Sequence, residues 1–370
     1  MTGAAPRLKV AWVTNYAAPY RLPVWEALGE SVELTIYTLA TEAQFAKGGH
    51  NRASEWMNVT ARGFEIQPVR TRSWRRGEAT HYRASRSDIA QWIDSDAVVV
   101  GGWDSPAYLA AARRARRKGV PVIAFYESIR ASHRFTAGPI ARVRRRFFER
   151  ADAIVTPGAG ATDAIRAMTP NAAPIFEGFN AVDVEWIQRS TAAARAGRTA
   201  RVGHHFLYLG QFVERKNLLA AVGAFLAIAS PDDTFTLVGS GELADTLRAV
   251  GDPRVLVRTP VAYAHLPELL AQFGTLVLPS TDEVWGLVVN EALAAGLHAV
   301  VSSTAGVAPS VAGMAGVYIA DATQAAIARG LAASRAGWHG PIDSPAILEH
   351  TPRQFAAVFF AAIKYGIARG

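Results

Sequence analysis

Two glutamates eight residues apart, Glu283 and Glu291, are the strongest candidates for chemistry in this sequence. Between them, Gly286 precedes an apolar stretch that predicts a helix starting near Leu287. The first amides of a helix have no partners within it and lie at the positive end of its dipole, so they can bind phosphate. Glu291, one turn inside this helix, could accept hydrogen bonds from a ribose diol, and Glu283 from a sugar hydroxyl. Two glutamates at this spacing are more often solvent-exposed residues without a function, so the surrounding sequence has to show whether they bind a ligand.

Three further motifs supply that context. They are residues 208–217 (YLGQFVERKN), 237–242 (LVGSGE) and 276–280 (LVLPS). Together with the glutamate pair, residues 205–305 resemble the retaining glycosyltransferases of the family 4 type, whose signature is Glu-x7-Glu and whose motifs follow this order and spacing. The resemblance implies an α/β protein of the GT-B fold, with two Rossmann-like, doubly wound domains facing across a cleft.

The resemblance also implies a role for each matching residue. Lys216 would pair with the donor diphosphate, Glu291 would hold the ribose hydroxyls, and Glu283 would act on the donor sugar as a catalytic residue beside Lys216. The backbone positions expected to contact the donor lie in two places. Gly286, Leu287 and Val288 are at the helix start, and Gly239 and Gly241 are in the glycine turn of motif 237–242.

One position departs from the family pattern. The arginine that usually follows the glycine of the first motif is Gln211 here, so a guanidinium that would share the diphosphate charge is absent. Arg215, next to Lys216, is a candidate replacement, although neighbouring side chains need not face the same site. Gln211 and Arg215 both remain candidate donor-binding residues.

In the first half, apolar runs alternate with amphipathic stretches, which predicts a parallel α/β domain. The predicted strands are residues 9–14, 32–37, 97–101, 120–126 and 153–156, and the predicted helices are 105–118 and 139–150. Residues 42–87 are rich in arginine, tryptophan and polar residues and predict loops with an edge strand or two.

A second series of alternating elements begins near residue 204. The predicted strands are 205–210, 235–239, 255–258, 275–279, 299–302 and 316–319, and the helices are 218–229, 243–249, 266–272, 288–295 and 323–334. Residues 183–201 suit a linker or an exposed helix. We therefore expect an acceptor-side domain at 1–185 and a nucleotide-sugar domain at 186–350. The resemblance implies that a final helix, 352–367, crosses back onto the first domain.

Four residues of the first half are candidates for the acceptor side. Arg21 follows the loop after the first strand, where it could approach a phosphate or an acceptor anion. Glu127 stands at the carboxyl end of a strand, where open α/β sheets bind ligands, and is a candidate catalytic or sugar-contacting residue. The family often has a histidine near this point, and the nearest one here is His133. Asp104 either caps the following helix or faces the cleft.

The net charge of +8 lies mostly in the first half. Residues 1–185 hold 25 Lys and Arg against 18 Asp and Glu, whereas residues 186–370 hold 14 against 13. Arginine clusters at 113–118 and 142–150 fall on predicted helices. These clusters are either solvated basic faces or surfaces that attract an anion, and the charge alone does not choose among a membrane surface, a nucleic acid and an anionic small molecule. No nucleic-acid-binding motif is recognisable, so no nucleic acid partner is expected.

Several classes of site and location are disfavoured. The chain has no cysteine, which rules out disulfides and thiolate chemistry. No signal-peptide core and no apolar run of spanning length is evident, so we expect a cytoplasmic protein, with peripheral contact at the inner membrane surface through the basic first half as an option. Asp94 and Asp96 spell a metal-binding pattern but precede their strand. We predict no obligatory metal and no cofactor.

The sequence thus predicts a metal-independent enzyme that moves a hexose from a nucleoside diphosphate sugar, with UDP as the default base, to an unknown hydroxyl. Glycan, lipid-linked and natural-product acceptors all remain open. The family's mechanism implies retention at the anomeric carbon by front-face attack, with the departing phosphate assisting deprotonation of the acceptor. The alternatives are a GT-B-shaped nucleotide-sugar epimerase or hydrolase, and a non-enzymatic binder that uses the basic surface.

Overall fold

The computed structural model describes residues 7–40, 60–76, 79–133, 135–196 and 203–369. The chain divides into two compact units. The N-terminal unit comprises Met1–Phe179 and Pro352–Gly370, and the C-terminal unit comprises Asn180–Thr351. Each unit has its own sheet and its own core, and each is described separately below.

The N-terminal unit contains a parallel sheet of seven strands within the described ranges, in the order β3-β2-β1-β6-β7-β8-β9. Its strands are β1 (Lys9–Thr14), β2 (Glu33–Thr38), β3 (Glu65–Pro68), β6 (Ala97–Val100), β7 (Val122–Phe125), β8 (Ala153–Thr156) and β9 (Ile175–Glu177). The central strands β6, β7 and β8 are buried along their whole length and apolar except for Thr156 at the end of β8, as expected for a parallel sheet covered on both faces.

Helices surround this sheet. They are α1 (Leu22–Gly29), α2 (Arg86–Trp92), α3 (Pro106–Arg117), α4 (Gly138–Glu149), α5 (Ala159–Met168) and the C-terminal α13 (Pro352–Arg369). Phe359 of α13 packs on Trp12 and Phe125, with ring centroids 4.5 and 5.1 Å apart. This aromatic contact attaches the end of the chain to the N-terminal sheet.

The region between β3 and α2 forms an antiparallel hairpin, β4 (Thr71–Arg76) with β5 (Ala79–Ala84). The hairpin and the edge strand β3 account for the described part of residues 42–87, where loops with an edge strand or two were expected. Residues 42–59 of that prediction lie outside the described residues.

The C-terminal unit is built on a second parallel sheet, with six strands among the described residues, in the order β12-β11-β10-β13-β14-β15. Its strands are β10 (His205–Gln211), β11 (Thr234–Ser240), β12 (Val255–Arg258), β13 (Thr275–Leu278), β14 (His298–Ser302) and β15 (Val317–Ala320). Its helices are α6 (Val184–Arg195), α7 (Leu218–Ile228), α8 (Ala244–Arg248), α9 (Leu266–Leu270), α10 (Leu287–Ala294), α11 (Ala308–Val311) and α12 (Gln324–Ala336). The α/β architecture with two parallel sheets is therefore confirmed.

Helix α6 corrects the expectation of a linker or exposed helix over residues 183–201. Asp183 caps the helix by accepting a hydrogen bond from the Trp186 amide, and Val184 and Ile187 are fully buried. At its other end, Arg195 donates a hydrogen bond of 2.6 Å to the carbonyl of Ala295, just after α10. Composition alone suggested an exposed segment, but this helix is part of the C-terminal core and supports α10.

Candidate functional site

The loops that carry the predicted donor motifs all follow strands of the C-terminal sheet. Because β10, β11 and β13 are parallel neighbours, their carboxyl ends meet at one edge of the sheet. Open α/β sheets bind ligands at this edge. The structure thereby brings together the first motif, the glycine turn and the start of the glutamate motif.

The two glycines of the turn allow neighbouring loops to approach closely. A Cβ on Gly239 would lie 1.8 Å from the carbonyl oxygen of Gly210, and one on Gly241 would lie 2.4 Å from the carbonyl oxygen of Phe212. A side chain at either position would therefore push the β10 and β11 loops apart. The contacts within the protein account for both glycines, independently of any ligand.

Lys216 and Glu283 form an ion pair between the Lys216 ammonium and a Glu283 carboxylate oxygen. Their side chains are only 11% and 15% exposed, so the pair is largely shielded from water. The ion pair thus joins two residues that are 67 positions apart in the sequence at one edge of the sheet.

The loop that carries Lys216 is held by its neighbours. Asn217 adopts a left-handed conformation with φ of 55°, and its side-chain amide donates hydrogen bonds to the carbonyls of Pro279 and Ala322 at 3.2 and 2.8 Å. The carbonyl of Arg215 accepts a bond of 2.9 Å from the amide of Thr281. These bonds fix the Lys216 loop against the loop after β13.

The Arg215 guanidinium takes part in the same linkage. It donates a hydrogen bond of 3.2 Å to the carbonyl of Asp282, beside Glu283. The hydroxyl of Tyr208 donates to the carbonyl of Gln211 at 2.7 Å, so Gln211 is held through its backbone. The structure therefore places Arg215 next to the glutamate motif, whereas Gln211 is held through its main chain.

The segment from Glu283 to Trp285 is supported by the loop after β14, which the sequence did not single out. The Gly306 amide donates to the Glu283 carbonyl at 2.9 Å, and the Val307 amide donates to the Trp285 carbonyl at 3.1 Å. Glu283 also forms an isolated parallel bridge with Ala305. Gly306 was the one sequence feature that could have indicated this loop, but a glycine among small residues is common in ordinary turns.

Helix α10 begins directly after this segment. Gly286, its N-cap, has a φ of 102°, and an added Cβ would lie 2.6 Å from the side chain of Leu278. Only glycine fits this backbone without strain. No side chain caps the helix, so the amides of Leu287 and Val288 enter it without an intrahelical partner. Such a helix start is suited to an anion.

Glu291 is the most unusual residue of this edge. It is 8% exposed, and no hydrogen bond or ion pair of its carboxyl group exists among the described residues. Burial raises the pKa of Glu291 to about 8, so the carboxyl is mostly neutral at pH 7. A carboxyl group without a partner in the described residues can exchange hydrogen bonds with the hydroxyl groups of a ligand.

Two aromatic residues that the sequence did not single out lie beside Glu291. Burial, and then the charge of Glu291, raises the pKa of Tyr263. The Tyr263 ring stacks on Trp186 with centroids 5.4 Å apart and an interplanar angle of 29°. Trp186 belongs to α6, and the expectation of a linker or exposed helix over residues 183–201 gave no reason to place it at this site.

The corresponding edge of the N-terminal sheet carries a different ion pair. Arg21, which is 4% exposed, donates a 2.7 Å hydrogen bond to Glu127 at the end of β7, and its guanidinium lies 4.9 Å from the centre of the Phe125 ring. Both residues line a cavity of about 120 Å³, together with Asn15 and Tyr16. Arg21 is thus already engaged by a carboxylate, unlike the anion-binding arginine that was expected.

Asp104 and His133 do not line this cavity. The N-cap of α3 is Ser105 and no side chain caps that helix, so the option that Asp104 acts as a cap is wrong. His133 forms a hydrogen bond with the hydroxyl of Tyr126. Burial, followed by the charge of Arg144, lowers the pKa of His133 to about 4.

The Asp94–Asp96 segment lies at the amino end of β6, away from the edge that binds ligands in such sheets. Asp96 accepts a hydrogen bond of 2.8 Å from the amide of Lys9, which gives it a structural role. In the part of the chain that the structure describes, no group of three or more His, Asp or Glu side chains is placed to hold a metal ion. Nor is any helix in that part long and apolar enough to cross a membrane.

The motif-bearing segment matches a known family. Residues 203–334 match the family model described as glycosyl transferases group 1. The matched residues all lie within the C-terminal unit. The glycogen synthase of Mycobacterium tuberculosis is 31% identical to this chain over 211 residues, which are 55% of this chain and 48% of that protein. The chain thus spans about half the length of the curated relatives it matches.

Solved structures match the fold over nearly the whole chain. The HepE protein of Anabaena in complex with UDP has a TM-score of 0.67 and 13% identity, covering 98% of this chain and 97% of its own. Sucrose-phosphate synthase from Thermosynechococcus elongatus has a TM-score of 0.65 and 14% identity, and the match covers 98% of this chain and 96% of that one. At these identities the likeness concerns the fold alone, and the fold is that of the GT-B glycosyltransferases.

Proposed function

We propose that this protein is a glycosyltransferase that moves a hexose from a nucleoside diphosphate sugar to a hydroxyl acceptor, with retention at the anomeric carbon. The observation that carries the proposal is Glu291. This carboxyl group is largely buried, makes no hydrogen bond among the described residues and stands one turn inside α10, so it is placed to bind the hydroxyl groups of a ligand.

The chemistry of the edge fits the parts of a nucleotide sugar. The carboxyl group of Glu291 can bind vicinal ribose hydroxyls, and the amides at the start of α10 can bind phosphate. The ammonium of Lys216 supplies a positive charge at the same edge. In this proposal Lys216 turns from Glu283 toward the diphosphate when donor binds, which leaves Glu283 free to accept a hydroxyl of the sugar.

UDP is the proposed nucleotide. HepE of Anabaena has been crystallised with UDP and with UDP-glucose, and it shares the fold of this chain over nearly its whole length. The partly exposed Trp186–Tyr263 stack beside Glu291 offers an aromatic surface near the proposed ribose position. Aromatic surfaces of this kind suit a planar base.

Leaving-group stabilisation is assigned to Lys216, Arg215 and the start of α10. In this proposal the sugar–phosphate bond breaks on the face that the acceptor hydroxyl attacks, and the departing phosphate oxygen takes the acceptor proton. The nucleoside diphosphate leaves, and the new glycosidic bond keeps the donor's configuration. Because positive groups of the protein serve the diphosphate, we propose that no metal is required.

The first test is turnover by the purified protein with UDP-glucose and a panel of hydroxyl acceptors, followed by release of UDP. Wild type should release UDP only when an acceptor is present, and the Glu291→Ala variant should lose this activity. Undiminished turnover by that variant would contradict the proposal. Conversion of the donor without an acceptor would instead indicate an epimerase or a hydrolase.

Two further measurements test the finer claims. NMR of the product should show the same anomeric configuration as the donor, and inversion would contradict the proposed mechanism. Activity should persist after treatment with EDTA, whereas loss and recovery with a divalent cation would show that a metal is needed.

A further inference from the structure

A groove separates α3 and α4 on the surface of the N-terminal unit. It has a volume of about 420 Å³ and is lined by side chains from both helices. The residues at its walls and floor are Leu109, Arg113, Arg116, Arg117, Val143, Arg146, Phe147 and Arg150. The spacing of these residues, three or four apart along each helix, places each set on one face. Two faces of similar composition therefore point into one space.

The lining of this groove is positively charged, and the carboxylate of Asp152 near Arg116 offsets only part of that charge. Five of its lining residues are arginines, and none is acidic. Arg113, Arg117, Arg146 and Arg150 are exposed. Burial, and then repulsion by Arg150, lowers the pKa of Arg116, which shows that the positive charges are close enough to act on one another. Like charges held together in this way favour an anionic partner.

The groove also has apolar surface. Val143 is 46% exposed, Leu109 is partly exposed, and Phe147 is almost fully buried beneath them. Arginine walls with an apolar floor match a partner that has both a negative headgroup and a hydrocarbon part.

We propose that the groove between α3 and α4 docks the protein onto an anionic phospholipid bilayer. The exposed arginines contact lipid phosphates, while Val143 and Leu109 lie against the first carbons of the acyl chains. This surface is separate from the donor-binding residues of the C-terminal unit, so the proposal does not depend on sugar transfer.

A nucleic acid would be a poorer match. Its backbone offers phosphates but no hydrocarbon chain for the apolar floor, and single-stranded binding sites use exposed aromatic rings on which bases stack. The ring in the groove, Phe147, is 4% exposed and therefore not accessible for stacking. Charge alone does not separate the two partners, but the apolar floor favours the lipid.

The test is sedimentation of the full chain with vesicles of phosphatidylcholine alone and of equimolar phosphatidylcholine and phosphatidylglycerol. We expect binding to the anionic vesicles only, weakened by added salt. Each basic residue at such a surface contributes about fivefold to the partition coefficient, so the R113E/R117E variant should bind at least about 25-fold more weakly. Absence of binding by wild type would overturn the proposal.

A control variant with the same change of net charge distinguishes binding through the groove arginines from attraction by the overall charge of the protein. Arg189 and Arg329 are exposed helical arginines of the C-terminal unit, so R189E/R329E should bind nearly as wild type does. Equal loss in this control would overturn the proposal. Val143→Asp should also weaken binding, since it removes the exposed apolar contact. Equally strong binding of a DNA duplex, lost in R113E/R117E, would show a nucleic-acid site instead.

All three groove substitutions fall on exposed side chains, so the variants should fold normally. Circular dichroism and thermal melting check this directly. Should R113E/R117E misfold, the neutral R113Q/R117Q variant takes its place, with the same direction of effect and a loss of about 25-fold.

Discussion

The carboxyl edges of the two sheets carry similar ion pairs in different surroundings. At the N-terminal edge, Arg21 pairs with Glu127 beside the rings of Tyr20 and Phe125. At the C-terminal edge, Lys216 pairs with Glu283, but a second carboxyl group, Glu291, is buried nearby without a partner. The N-terminal pair is balanced as it stands, whereas the C-terminal edge has hydrogen-bonding capacity that the protein does not satisfy.

This difference indicates which edge is built for a polar ligand. Lysine is a compact cation on a flexible chain and can exchange one partner for another, while a stacked arginine is held in a fixed plane. Arg21 is buried under aromatic rings, so exchange would be costly. We therefore assign donor binding to the C-terminal edge and treat Arg21 as a positioning residue for Glu127.

The largest effect is expected from Glu291→Ala. Loss of the hydrogen bonds from a buried carboxyl to two hydroxyls should lower kcat/KM for the donor by about 100- to 1000-fold. Steady-state kinetics with a UDP sugar measures this directly. An effect below tenfold would mean that the unpartnered carboxyl does not serve the donor, and the contrast between the two edges would lose its functional meaning.

The next prediction concerns stability. Whereas Glu291→Ala should lower activity, replacement of Glu291 by glutamine should raise the stability of the protein at high pH. The pKa of Glu291 is raised from 4.5 to about 8 by burial, so the folded protein retains a proton that the unfolded chain releases. Its contribution to stability is fully present below pH 4.5 and is lost as the pH rises toward 8. Glu291→Gln should therefore stabilise the protein at pH 8 by about 4 kcal/mol relative to its effect at pH 4.

Urea unfolding of wild type and Glu291→Gln at both pH values gives the comparison. The matched substitution Glu283→Gln removes a carboxylate that has an ion-pair partner, so it should destabilise the protein at pH 8. If both variants shift the urea midpoint in the same direction, Glu291 is not the unsatisfied group that the structure shows.

A smaller loss is expected from Lys216→Met. Removal of one charged donor from the site of a developing negative charge costs about 100-fold in turnover. Lys216→Arg keeps the charge and should retain more activity than the methionine variant. Equal activity of wild type and Lys216→Met would show that the ammonium does not reach the diphosphate.

The smallest effect is expected at the N-terminal edge. Glu127→Gln removes the charge that pairs with Arg21 but keeps the hydrogen-bonding shape, and we expect about a tenfold rise in KM for the acceptor with little change in KM for the donor. A rise in the donor KM alone would reverse the assignment of the two edges.

The sequence predicted most strands within one or two residues because parallel strands are continuous apolar runs. The prediction was less complete for the helices of the first half. Helices α1, α2 and α5 were not among those predicted, although Ser85 and Asp88 form a capping box that could have identified the start of α2. Strand β9 has only three residues and no fully buried one, so nothing in its pattern distinguishes it from a loop.

The chemistry of the site was predictable only in part. The motifs identified Lys216, Glu283 and Glu291, because short polar loops after apolar strands are visible in a sequence. Their pairing was not visible, since the Lys216–Glu283 contact depends on the order of strands in the sheet. Trp186 and Tyr263 lie beside Glu291 through the packing of α6, which no local pattern reveals.

The central claim is best tested by calorimetric titration of UDP-glucose, with GDP-, ADP- and TDP-sugars in parallel, into wild type, Glu291→Ala and Glu127→Gln. We expect wild type and Glu127→Gln to bind one of these donors with similar affinity, and Glu291→Ala to bind it at least about 100-fold more weakly. Absence of binding to every donor, or equal binding by all three proteins, would contradict it.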